Sequence, residues 1–75
     1  MESVEVRFDT LGDMVEFVQR ANRMEEDVDV RVGSVLVDGK SLQGVVALGC
    51  GIRAVASVHT DRKGAAEELL GEGRP

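Results

Sequence analysis

Gly39-Lys40-Ser41 ends the way a nucleotide-binding loop ends, and Cys50 and His59 are the only thiol and the only imidazole of the chain. Each could carry chemistry, and spacing decides among them. A Walker A loop sets four residues between its first glycine and Gly-Lys-Ser, so a glycine should stand where Ser34 is, and Gly33 misses by one. The intervening Val35-Leu36-Val37 also reads as strand, whereas a phosphate cradle needs a turn that presents backbone N–H groups. A strand running through a turn into a capped helix is the better reading. Cys50 and His59 lie nine residues apart with no second Cys or His, short of the three or four ligands that zinc takes. Nothing orients a third group toward them, as a nucleophilic pair would need. Cys50 reads as a small apolar filler in a glycine-rich turn, and His59 as an exposed residue at a strand end. The acidic runs Glu25-Glu26-Asp27 and Glu67-Glu68 read as solvated faces, and no spacing brings two carboxyls to one cleft. No catalytic residue, metal site or cofactor is expected. Ser41 remains. At the exposed start of a short helix, beside Lys40, it is either a plain N-cap or a serine suited to covalent phosphate, because a helix start offers free N–H donors and favours negative charge.

The elements that position these residues follow from periodicity. Val4, Val6 and Phe8 alternate with Ser3, Glu5 and Arg7, which predicts a half-buried strand. From Leu11 the period lengthens: Leu11, Met14, Val15, Val18 and Ala21 form the apolar stripe of a helix to about Met24. Thr10 followed by Asp13 fits a capping box at its start. Val28, Val30 and Val32 predict a second strand and Val35 to Val37 a third, joined by Gly33-Ser34 as a type II′ hairpin turn. Ser41 caps a short helix over Leu42 to Leu48. Ile52 to His59 predicts a fourth strand, and Asp61 is placed to cap a last helix carrying Ala65, Ala66, Leu69 and Leu70, ended by Gly71. One-faced strands and one-striped helices are satisfied by an α+β two-layer arrangement, a single antiparallel sheet covered on one side by helices.

Seventy-five residues suit one small domain, 1–75, that buries only ~60% of its unfolded surface, with the closing Gly71 to Pro75 expected to fray. Phe8 and Phe17 are the only aromatic residues, so the core is built from Val, Leu, Ile, Ala and Met. A formal charge of −5 with neither Trp nor Tyr argues against nucleic acid as a partner, since there is neither a basic stripe nor a stacking platform. No apolar run approaches a membrane span. A lone cysteine and a charged N-terminus suit a reducing cytoplasm.

"KSLQGVVALG", Lys40 to Gly49, resembles the K-S-[IL]-x-G-[VL]-[MLV]-[SA]-L-[GA] signature of HPr, the small phosphocarrier family of the bacterial phosphoenolpyruvate-dependent sugar phosphotransferase system. "FVQRANRMEEDVDV" is similar to the same family's helix-to-strand passage. The resemblance runs without a gap from Val4 to Gly49 and more loosely to Leu70. It implies an open-faced sandwich with three helices on one face of a four-stranded antiparallel sheet. In that family a histidine in G-[LI]-H-A-R-P accepts phosphate from enzyme I, and in many members a serine at the start of the second helix is phosphorylated by a dedicated kinase.

The serine corresponds to Ser41. Anchored on Phe17-Val18, the histidine position falls on Thr10, the arginine position on Gly12 and the proline position on Asp13. The imidazole nucleophile and the guanidinium that steadies its phosphate are thus both replaced. The resemblance then implies a regulatory, non-enzymatic member, similar to the histidine-lacking regulators of carbon catabolite repression, with Ser41 as its phosphorylation site. Partner residues would be Lys40, Leu42, Gln43 and Thr10, and partners proteins, an HPr kinase or a catabolite regulator. Gln43 departs from the apolar residue the family uses there. Two alternatives stay open: an HPr-fold binding or scaffold protein without phosphate chemistry, and a phosphotransfer protein using a different residue. The chain is expected to be a monomer or a weak homodimer.

Overall fold

The structure, a computed structural model, describes residues 1–71; the remainder of the expected frayed tail lies outside the described residues. Along the chain come β1 (Glu2–Phe8), α1 (Leu11–Asn22), β2 (Val28–Val32), β3 (Val35–Asp38), α2 (Leu42–Val46), β4 (Ile52–Val58) and a terminal 3₁₀ helix (Ala66–Leu70). The strands form one antiparallel sheet in the order β1-β4-β2-β3, covered on one face by the helices.

Alternation fixes the faces. Val6 and Phe8 of β1, Val28 and Val30 of β2, and Ala54, Ala56 and Val58 of β4 are buried, and they meet Met14, Phe17, Val18 and Ala21 of α1, Val45 of α2 and Leu69 of the 3₁₀ helix. Phe8 and Phe17 pack edge to face with centroids 5.3 Å apart. Ser3, Glu5, Arg7, Arg53, Ser57, Arg31, Leu36 and Asp38 fall on the open face by register.

The hairpin turn has positive φ at Gly33 and none at Ser34, the sign pattern of the expected type II′ turn. Gly39 has another reason to be glycine. Its N–H donates to the carbonyl of Val28 at 2.7 Å, and a Cβ there would stand 2.7 Å from Val28 Cγ1 and 3.1 Å from the Val28 carbonyl oxygen.

Several expectations are corrected. Leu11 is not part of the buried stripe: as the first helical residue it precedes the turn that packs, and it is 55% exposed. α1 stops at Asn22, α2 at Val46 and β4 at Val58, each a residue or two early because end residues fray into turns. Cys50 is exposed and fills no core space. The third helix is 3₁₀ rather than α, with no side-chain bond at its N-cap Ala65. Asp61 does not cap it. The carboxylate of Glu2 reaches across from β1 instead, accepting from Gly64 N–H at 3.0 Å and Ala66 N–H at 3.2 Å.

Candidate functional site

The two candidate phosphate positions lie at opposite ends of the helical layer. Thr10 is the N-cap of α1: its hydroxyl accepts from the Asp13 N–H at 3.1 Å, while one Asp13 carboxylate oxygen accepts from the Asp9 N–H at 2.9 Å and the Thr10 N–H at 3.1 Å. The capping box expected from sequence is therefore present. Around Thr10 stand the carboxylates of Asp9 and Asp13, and the nearby guanidinium, Arg7 Nε, is held by Asp9 at 2.7 Å. Gly12 brings no side chain. A phosphate on Thr10 would meet the carboxylates of Asp9 and Asp13.

Ser41 is the N-cap of α2, half-buried, with its hydroxyl accepting from the Gly44 N–H at 3.2 Å. The adjacent turn is tied down. Asp38 accepts from the Lys40 and Ser41 N–H groups at 2.9 and 3.1 Å, and Asn22 at the end of α1 donates to the Lys40 carbonyl at 3.0 Å. The Lys40 ammonium donates to the Met24 carbonyl at 2.6 Å. The ammonium is thus committed to a carbonyl of the loop that follows α1.

The Asn22 bond sets the start of α2 beside the end of α1. A bond of 2.6 Å from the Gly51 N–H to the Phe8 carbonyl brings the loop after α2 beside the start of α1. The two helices therefore run antiparallel, and Thr10 and Ser41 are separated by the length of α1, twelve residues or ~18 Å. Of the expected partner residues, Lys40, Leu42 and Gln43 cluster with Ser41, and Thr10 does not join them. Leu42 and Val46, four residues apart, are 41% and 39% exposed, so α2 offers one apolar ridge to solvent. Leu11, the exposed leucine of the first turn of α1, extends the apolar surface of this layer. Leu11 and Val46 were not singled out from sequence as surface residues, because an apolar residue at helical spacing reads as core.

His59 lies at the far end of β4, with Nε2 2.5 Å from Asp29 Oδ2. Register places this end of the sheet beside Glu2, away from Thr10, so the imidazole is near neither the start of α1 nor Cys50 on the turn before β4. Among the described residues no group of His, Cys, Asp and Glu is placed to hold a metal ion, and no helix is long and apolar enough to cross a membrane.

No family model and no curated protein sequence matches the chain. Solved structures do. The chain is similar to HPr-C-His from Thermoanaerobacter tengcongensis, with a TM-score of 0.76 and 23% identity over 93% of this chain and 86% of that one. It is also similar to the phosphocarrier protein HPr from Bacillus anthracis str. Ames, with a TM-score of 0.67 and 25% identity over 92% of this chain and 87% of that one. The chain has the HPr fold. In this chain the terminal helix is a single 3₁₀ segment, and the start of α1 is closed by a reciprocal cap.

Proposed function

We propose that this chain is an HPr-like regulatory module, related to the bacterial sugar phosphotransferase system, that docks on other proteins and does not itself catalyse or carry phosphate to sugars. The observation that carries this reading is the Thr10–Asp13 cap. The position where the resemblance puts a phosphohistidine holds a hydroxyl already bonded to a backbone N–H and flanked by carboxylates. A threonine ester would also transfer its group far less readily than an N–P bond. Docking falls to the exposed ridge of Leu42 and Val46, with Gln43 and Lys40 at its edge and Leu11 and Thr10 beyond its far end.

Ser41 is the regulatory site in this reading. Phosphate there would sit at a helix start with backbone N–H groups to receive it, put on by a kinase acting on HPr-like proteins. A second reading rests on the hydrogen bonds at the same place: Ser41 already caps α2 and Lys40 is committed to Met24, as in a binding module without phosphate chemistry.

A paired assay separates them, with an authentic HPr as control in both arms. An HPr kinase with ATP should add one phosphate that is lost in Ser41→Ala, and enzyme I with phosphoenolpyruvate should add none. No label from ATP, beside a labelled control, removes the phosphoserine and leaves the binding module. Label from phosphoenolpyruvate would overturn both and point to a phosphotransfer residue outside the usual motif.

A further inference from the structure

β1 is an outer strand of the sheet and one seven-residue edge without proline or bulge, the kind of edge that invites pairing with another strand. Because the Phe8 carbonyl accepts from Gly51 ahead of β4, the period of two turns the peptide groups of Ser3, Glu5 and Arg7 outward. These outward positions carry opposite charges two residues apart: Glu5 and Arg7. In an antiparallel pairing of two β1 edges about a two-fold axis at Val6, each Glu5 falls opposite the Arg7 of the other copy. Val4 falls opposite Phe8, and side-chain parity is kept, so both helical layers stay on one side.

Charge on the open face favours the same register. Arg7 is directly opposite Arg53 within the sheet, and like charges so placed destabilise a strand pair. Asp9 bonds Arg7, and the Glu5 of a second copy would supply a further carboxylate on the other flank. The helical layer leaves room beside the edge, a groove of about 410 Å³ walled by Glu5 to Phe8 of β1, by Asp9 after it and by Phe17, Arg20 and Leu69. The other edge, β3, offers less. It has four residues, and its Asp38 carbonyl is already bonded to Ser41 N–H.

We propose that two copies of this chain pair antiparallel through their β1 edges, Glu5 against Arg7, joining two four-stranded sheets into one of eight strands. The isologous contact closes on itself. A strand ~23 Å long buries less than the ~1,200 Å² of a standard interface, so the dimer is weak and transient. The proposal does not depend on whether Ser41 is phosphorylated.

Sedimentation equilibrium from about 10 µM to about 1 mM should show the wild-type chain dimerising, less so at high salt. Glu5→Arg alone and Arg7→Glu alone should each weaken association by about tenfold or more. An equimolar mixture of the two should associate, and the double variant Glu5→Arg/Arg7→Glu should dimerise like the wild type. Circular dichroism checks that each variant is folded, and amide shifts of the wild type confined to β1 on concentration give an independent readout. A wild type that stays monomeric at the top of the range overturns the proposal. So does association untouched by both single reversals, which would mark the β3 edge or exchange of whole β1 strands instead.

Discussion

Gly39, Thr10 and Asp13 show how single positions separate similar motifs. In a phosphate-binding loop the glycine of Gly-Lys-Ser would let backbone approach a ligand. Here Gly39 lets β3 end against Val28, and the lysine after it is spent on the Met24 carbonyl in the loop after α1. Gly39→Ala should therefore destabilise the fold by ~1–3 kcal/mol, as overpacking does, measured by urea unfolding. A neutral outcome would mean that the strand end gives way freely. Thr10→Ala removes the acceptor for the Asp13 N–H and should cost ~1 kcal/mol without altering any phosphorylation of Ser41. The caps were legible in the sequence because each is a local contact over three residues. The direction of the Lys40 side chain was not, since its acceptor, the Met24 carbonyl, is sixteen residues away.

At the scale of elements, the same division holds. The hairpin turn and the starts of α1 and α2 obey local chemistry, and sequence placed them to within a residue or two. The terminal segment did not obey it, because its cap comes from Glu2, more than sixty residues distant. Arg62, before this segment, also bridges Glu68 at 2.5 Å and Glu26 at 3.1 Å, so the acidic residue Glu26 is an anchor and not a solvated face. Both contacts leave a mark on acid stability. Glu2 is held below its ordinary value of 4.5 by the Ala66 and Gly64 N–H groups, and Glu26 is lowered chiefly by its bond to Arg62. A carboxyl whose pKa is lower folded than unfolded contributes fully above the unfolded value, and that contribution fades as pH falls through the folded one. Wild-type stability should accordingly decline below about pH 4.5, and Glu2→Gln should flatten part of that decline while lowering stability at neutral pH. Urea midpoints between those conditions check this, and an unchanged slope in Glu2→Gln would show that the carboxylate does not hold the segment in solution.

For the whole molecule, β4 is the organising strand. It pairs with both β1 and β2, although it follows them by about twenty to fifty residues, so the sheet closes only when most of the chain is in place. The fold class was legible because strand and helix periods differ so plainly. The sheet order was not, because nothing local states which strands are neighbours. A core this small, with two aromatic rings, depends on its last element as well. Leu69 is 1% exposed, and with Ala65 and Ala66 it covers β1 and α1 at the side that α2 leaves open. Leu69→Ala should cost ~2–5 kcal/mol, against a total of ~4–11 kcal/mol expected for 75 residues at ~0.05–0.15 kcal/mol each. The variant should thus lose a large share of its stability, read as a lower urea midpoint, with the amide resonances of β1 and β4 lost together as denaturant is added. A loss of less than ~1 kcal/mol, with the sheet intact, would show instead that the terminal 3₁₀ helix rests on a core already complete without it.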